Sequence, residues 1–442
     1  MPSDPRTDRV PADPSLASAL QALGQDRAQP LHIGGVPARE LAARFGTPLY
    51  VFDAAVLRSR LQQVRAALGP RVQVLWSVKA NPSLAVTRCL RQAGTGAEVA
   101  SLGELHLAIA AGHSAAALRF AGPGKTDAEI DSAVAMGLGC FHVESAGEIA
   151  SIAAAALRHG RTAGIAVRVN FARELGGSRL RMGGGSSRFG VDEDQVSALV
   201  QSIARDPALR LRGLHVYGGT QCFDAAAFAR HATALAASAA RWEQELSMQF
   251  DELDLGGGFG VAAFAGDPGF DLVSAGSAVQ DLVAAHDRPG RTWFVELGRF
   301  LCAPAGVYLT SVVRTKQSGG QNHAVLDGGM HQHAAAAGVG TVLRRAPLLV
   351  HSEDLQGVAT HAVTLGGPLC TPADQFADQI ELPALVPGDV LAVLHAGAYG
   401  LSFSPFGFLS HPAPAEVLVD GGEARIVRQR GSVHDALRGQ TP

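Results

Sequence analysis

Lys79 closes an otherwise apolar run, Val74-Leu75-Trp76-Ser77-Val78. On an ordinary surface such a lysine lays its stem along apolar neighbours and keeps its ammonium in water. In a partly dry pocket its pKa falls, and the amine can form a Schiff base with an aldehyde. Far along the chain, Gly256-Gly257-Gly258 follows Asp254-Leu255, and Glu296-Leu297-Gly298-Arg299 follows another apolar run. Consecutive glycines let backbone N–H groups converge on an anion, and an arginine grips phosphate bidentately; a plain tight turn is the alternative for the glycines. A carboxylate such as Glu296 can keep a ring nitrogen protonated, or it can be a structural ion pair. A lysine for an aldehyde, loops for a phosphate and an acid for a ring nitrogen are together the requirements of pyridoxal phosphate.

These residues need a scaffold that brings them to one place. Short β-branched runs at 74–78, 96–100, 118–122, 140–144, 164–169, 211–217, 253–256 and 292–296 alternate with helical periodicity at 83–93, 102–111, 127–136, 146–158, 192–204 and 225–246. Eight strands over about 250 residues is the arithmetic of a (β/α)8 barrel, with a doubly wound open sheet as its rival. Barrel enzymes collect their chemistry at the C-terminal ends of strands, and phosphate is usually held after strands seven and eight. Lys79, the three glycines and Glu296 fall at such positions. After Arg299 the texture turns to strands without helical period, at 307–316, 323–326, 361–365, 389–395 and 416–419. The expected organisation is an arm over 1–30, a segment 31–48 that joins a β domain, a barrel over 49–299 and a β-sandwich or barrel-like domain over 300–442. Residues 31–33 offer that β domain one further strand.

Composition narrows the function. At 442 residues the chain is long enough for two or three self-sufficient cores. A net charge of -3 supplies no basic field for nucleic acid. Five cysteines without a CxxC pair suit neither a disulfide framework nor a zinc site, and fit a reducing cytosol. The N-terminal residues lack the apolar run of a signal peptide, and no stretch reaches membrane-spanning length. The expectation is a cytoplasmic protein with no membrane or nucleic-acid partner. His331 and His333 form an HxH pair with no evident third ligand, so no metal is expected.

Read together and in order, SVKANP (77–82), AEVASLGEL (97–105), HVYGGTQ (215–221), LGGGFG (255–260), ELGR (296–299), GPLCTPAD (367–374) and GAYG (397–400) resemble the fold-type III pyridoxal phosphate decarboxylases, which include diaminopimelate and ornithine decarboxylases. The resemblance spans about residues 31–425 and implies an alanine-racemase-like barrel with a C-terminal β domain. It implies a homodimer with shared active sites, to which Cys370 and Tyr399 come from the neighbouring subunit. Cys370 would return a proton to Cα and Tyr399 would bind phosphate. From its type alone Cys370 reads as a small buried hydrophobe. Gly219 and Thr220 match a phosphate-binding turn, and Tyr217 stands where the family stacks a histidine on the cofactor; an aromatic face survives that change. His215 fits either core packing or the cofactor shell.

Departures from the diaminopimelate pattern point to another substrate. Thr371 replaces the acid that reads a distal amine, and the stretch Asp327-Gly328-Gly329-Met330-His331-Gln332-His333-Ala334-Ala335 lacks the arginine that reads a distal carboxylate. A charged tail left unpaired in a site costs several kcal/mol. His331, His333, Thr371 and Asp374 are therefore expected as polar groups on the substrate side. The variant motifs are most similar to enzymes acting on amino acids tethered to a carrier protein or on citrate-linked siderophore intermediates. Phe403, Phe406 and Phe408 fit a neutral substrate arm or a carrier contact, and equally core or interface packing. The expected reaction is α-decarboxylation with release of carbon dioxide and an amine, using Lys79, Glu296 and Cys370. The alternatives are a diaminopimelate decarboxylase, a racemase, or a non-catalytic cofactor-binding regulator on the same fold.

Overall fold

The computed structural model describes residues 13–171, 178–181, 186–339, 345–356 and 360–441. They divide into two compact units, one from within 58–261 and 270–300, the other from within 13–57, 262–269 and 301–441.

In the first unit eight parallel strands close on themselves in the order Val72–Ser77, Gly96–Val99, Leu118–Phe120, Cys140–Val143, Ala163–Asn170, Leu209–His215, Glu252–Gly257 and Thr292–Leu297, the last pairing with the first. Parallel strands covered on both faces read as continuous apolar runs, and Cys140–Val143 and Ala163–Asn170 are buried at every residue. The intervening helices start at side-chain caps. Ser101 and Ser145 accept from the amides of Glu104 and Glu148, and Thr126 with Glu129 forms a capping box. This is the eight-stranded barrel expected from strand counting. Inside it, Arg119 pairs with Glu252 at 3.1 Å, both almost fully buried. Removing one partner of such a pair costs about 3–5 kcal/mol.

The second unit is a mixed sheet built around the long strand Gly306–Ser318. One half of that strand pairs with Gln321–Leu326; the other pairs with Val390–Val393 and with Leu49–Asp53. Leu49–Asp53 is thus a correction to the expected 49–299 barrel segment. It lies between Gly306–Ser318 and Ala415–Asp420 in the second sheet. All five of its residues are buried, and the barrel, already closed by eight strands, has no free edge to offer it, whereas the second sheet supplies a neighbour on both edges. Residues 31–33 also differ from expectation: His32–Ile33 pairs only with Val36–Pro37, in a hairpin of its own. Leu31, Ile33 and Leu41 nevertheless enter the core of this unit, as do Ala19 and Leu20 of the helix Pro14–Ala22. No helix among the described residues is long and apolar enough to cross a membrane.

Candidate active site

Lys79 sits in a single 3-10 turn, Val78–Ala80, at the end of the first barrel strand. Its Nζ meets both carboxylate oxygens of Glu98, at 3.0 and 3.1 Å. Glu98 belongs to the second strand and is fully buried, whereas the lysine side chain is 35% exposed. Nζ also lies 5.5 Å from the centroid of the Tyr217 ring, beyond the sixth strand. Close to this pair, burial and the neighbouring charge of Glu98 push the Glu104 carboxyl up to about 7.

The glycines form a cradle that side chains would fill. Gly256 and Gly258 hold φ of +67° and +85°, a region that costs an L-residue strain. The seventh strand bulges there, its register to the eighth shifting between Asp254 and Gly257. A Cβ on Gly256 would meet the Val216 carbonyl oxygen at 2.2 Å, and one on Gly258 would meet that of Gly219 at 2.0 Å. A Cβ on Gly257 would strike the Glu296 carbonyl oxygen at 1.7 Å, and one on Gly298 would meet Ala80 at 2.6 Å. Arg299 follows at once, and Thr220 lies in the strand Gly219–Cys222. The expected residues Lys79, Tyr217, Gly219, Thr220, Gly256, Gly257, Gly258, Glu296, Gly298 and Arg299 therefore gather at one mouth of the barrel.

Below that mouth lies a buried group of His142, His215, Asp254 and Glu296, whose ligand-type atoms lie within 4.8 Å of one another. His142 and His215 stack with centroids 4.4 Å apart. Glu296 Oε1 is 3.6 Å from His142 Nδ1, and Oε2 is 3.4 Å from His215 Nε2. Burial drives both imidazoles well below their usual pKa, so both are neutral. Burial, reinforced by the charge of Glu296, holds Asp254 well above the carboxylate range. Glu296 Oε1, both nitrogens of His215 and Asp254 Oδ2 are buried without a hydrogen-bond partner among the described residues. Such orphaned polar atoms under a glycine cradle call for a polar occupant.

The remaining expected residues lie in the second unit. Cys370 is exposed, the other four cysteines being buried. Tyr399 holds φ of +52° and packs edge-on against Phe403 at 6.2 Å. His331 and His333 are buried; His331 is pushed down to about 4 by burial and His411, and His333 to about 3 by burial. Thr371 is half-buried, and Asp374 is 5% exposed with both carboxylate oxygens accepting backbone amides. Gln332 anchors the turn between the two histidines. Its carbonyl accepts from Tyr50 at 2.7 Å, its Oε1 from Tyr308 at 2.8 Å, and its Nε2 donates to Pro412.

The residues fit pyridoxal phosphate. Lys79 offers an amine beside a buried acid, the glycines leave room for phosphate against backbone, Tyr217 offers a ring face and Glu296 a carboxylate with an unused oxygen. Sequence reasoning overlooked Glu98, Glu104, His142 and Asp254. For Glu98, His142 and Asp254 the signal was present, since an acid or histidine inside the apolar run of a barrel strand has few other uses, whereas Glu104 lies in the first turn of a helix, where an acid is ordinary.

Residues 54–303 match the family described as pyridoxal-dependent decarboxylase, pyridoxal binding domain. The chain is 36% identical over 406 residues to the L-glutamyl-[BtrI acyl-carrier protein] decarboxylase of Niallia circulans, covering 90% of this chain and 95% of that one. It is 30% identical over 375 residues to the 2-[(L-alanin-3-ylcarbamoyl)methyl]-2-hydroxybutanedioate decarboxylase of Staphylococcus aureus, covering 83% and 92%. Among solved structures, diaminopimelate decarboxylase from M. jannaschii superposes with a TM-score of 0.84 at 25% identity, covering 94% of this chain and 96% of that one. With the family match spanning more than half of its length and a lysine, an acid and a glycine cradle set where the cofactor requires them, the chain belongs to the pyridoxal phosphate-dependent decarboxylases.

Proposed function

We propose that this enzyme removes the α-carboxylate of an amino acid carried in conjugated form, most simply an aminoacyl group tethered to a carrier protein. The observation that carries this reading is that, among the described residues, the two places where the resemblance puts readers of a distal charge, the turn after Gly329 and position 371, hold no cation and no acid for one. The turn 327–336 holds neutral, buried His331 and His333 followed by alanines, and Thr371 stands beside Cys370. A thioester or amide tail needs no ionic partner, whereas the tail of diaminopimelate leaves two buried charges unpaired. A citrate-linked conjugate would bring carboxylates that call for cations. The similarity to a decarboxylase of carrier-bound glutamate supports the same choice.

When bound, pyridoxal phosphate supplies a conjugated electron sink for the pair left at Cα when carbon dioxide departs. Lys79 would hold its aldehyde carbon, Gly219, Thr220, Gly256, Gly257, Gly258, Gly298, Arg299 and Tyr399 its phosphate, Tyr217 its ring face and Glu296 its ring nitrogen. Glu98 holds the Lys79 ammonium ready and takes up its proton when the amine must act as a nucleophile. The neutral imidazoles of His142 and His215 bring no cation of their own to Glu296, so its carboxylate is left to pair with a ring nitrogen. Cys370 Sγ delivers a proton to Cα, and the amine leaves. In this reading Cys370 and Tyr399 serve the barrel of a second copy, so the working unit is a homodimer. A reducing cytosol suits its five free cysteines.

The test is carbon dioxide release by cofactor-loaded protein from free diaminopimelate, ornithine, lysine and glutamate, from carrier-bound glutamate, and from citryl conjugates of serine and diaminopropionate. Release from carrier-bound glutamate alone is expected. Rapid release from free diaminopimelate would overturn the reading, because some other basic group would then read its distal end.

A further inference from the structure

The segment that presents Cys370 is tied to one carboxylate. Asp374 Oδ1 accepts from the Met330 amide at 2.6 Å, and Oδ2 accepts from the Leu369 amide at 2.8 Å. The Asp374 amide donates to the Thr371 carbonyl at 3.1 Å, and its own carbonyl accepts from Gly367 at 3.0 Å. Leu369 and Thr371, the two chain neighbours of Cys370, are thus both bonded to Asp374. The fit is close on two further sides. A Cβ on Gly329 would come within 2.5 Å of Oδ1, and one on Gly367 within 2.3 Å of Oδ2. Neither glycine has a positive φ, so it is space beside the carboxylate, and not backbone conformation, that excludes a side chain.

With each oxygen accepting a backbone amide and only 5% of the residue exposed, Asp374 is poorly placed to reach a substrate. The expectation that it is a substrate-side group therefore gives way to a different role. The same turn reaches the segment bearing Tyr399. Ala334 donates to Ser404 Oγ at 2.9 Å, and Ser404 Oγ donates to the Gly400 carbonyl at 2.7 Å. We propose that Asp374 is a positioning residue that fixes the backbone on both sides of Cys370 and locks it to the 329–334 turn, so that the thiol is held at one place relative to Tyr399. This rests on the reading of Cys370 as the proton donor, and the experiment below separates the two.

Cys370 is the one cysteine exposed in the single chain, and in the dimer it would face the active site, so its reaction with a small thiol reagent measures the geometry without turnover. In the holoenzyme, the rate of Cys370 modification by methyl methanethiosulfonate, with the site confirmed by mass spectrometry, reports how firmly the segment is held. Asp374→Ala is expected to label about fivefold faster or more, because the loop opens locally. Its kcat should fall about 100-fold with KM within about threefold, as a misplaced group loses turnover before binding. Asp374→Asn keeps one acceptor and should fall between. Labelling and kcat both within about twofold of wild type in folded Asp374→Ala would overturn the proposal. If that variant does not fold, Gly367→Ala, whose methyl displaces the carboxylate, decides by the same two readouts. Full turnover by Cys370→Ser would overturn the proton-donor role; faster labelling in Asp374→Ala would still uphold the clamp.

Discussion

Glu98 grips the Lys79 ammonium with both carboxylate oxygens, yet the acid is wholly buried and the lysine is a third exposed. The acid thus loses this counter-charge whenever the lysine swings away, which favours the lysine's return. Glu98→Gln keeps the shape and removes the charge. It should lower kcat about 100-fold, the size of a lost general acid–base contribution, with little change in KM. Steady-state carbon dioxide release checks this, with Lys79→Ala as the reference that shows neither turnover nor the absorbance of lysine-bound cofactor.

Glu104, raised to about 7 by burial, makes a prediction about stability. Between its ordinary value of 4.5 and about 7 the folded protein holds a proton that the unfolded chain has lost, so stability falls as pH rises through that window. The loss from this one group reaches about 3 kcal/mol, to order of magnitude. Glu104→Gln removes the titration and should flatten the change. Urea midpoints at pH 5 and pH 7.5, taken as the difference between wild type and variant, test it; parallel profiles would refute it.

Gly258 has φ of +85° and a carbonyl oxygen 2.0 Å from where its Cβ would sit. Gly258→Ala combines strain with a backbone clash and should cost about 1–3 kcal/mol. The cradle should open, weakening pyridoxal phosphate binding about tenfold or more. Thermal unfolding with and without cofactor measures both effects; an unchanged cofactor dissociation constant would mean that phosphate sits elsewhere.

Thr371 is the position from which specificity should turn. Thr371→Asp places a charge beside Cys370 and should favour substrates with a free distal amine. The ratio of kcat/KM for free ornithine to that for the conjugate should rise about 10-fold or more, as a new ionic partner is worth about 1–3 kcal/mol. An unmoved ratio would show that Thr371 does not face the substrate.

The barrel was legible because each strand is a short apolar run closed by a polar residue, as Val72–Ser77 before Lys79 and Thr292–Leu297 around Glu296 show. The helices Ala54–Leu68 and Leu272–His286 escaped notice because their apolar periodicity is weak, although Gly69-Pro70 and Pro289-Gly290 mark their ends. Glu98 escaped for another reason: its motif was noted, but its partner lies nineteen residues away, and only the closing of adjacent strands brings acid and lysine together. Nor can residue type show that the two Asp374 oxygens accept the amides of Met330 and Leu369. Likewise the barrel boundary at residue 49 took in Leu49–Asp53, whose true neighbours are set by hydrogen bonding to chain far downstream.

That placement imposes a timetable on the newly made chain. Leu49–Asp53 leaves the ribosome first, but Gly306–Ser318 and Ala415–Asp420, which flank it, are separated from it by the whole barrel. At about 5–20 residues per second, the roughly 250 intervening residues keep this apolar strand waiting for roughly 10–50 s. During that interval a sticky segment has no native edge to join, and the barrel can complete itself while the surrounding unit cannot. Growth conditions that slow translation should therefore penalise this protein through aggregation of incomplete chains, at a stage when its catalytic barrel is already formed.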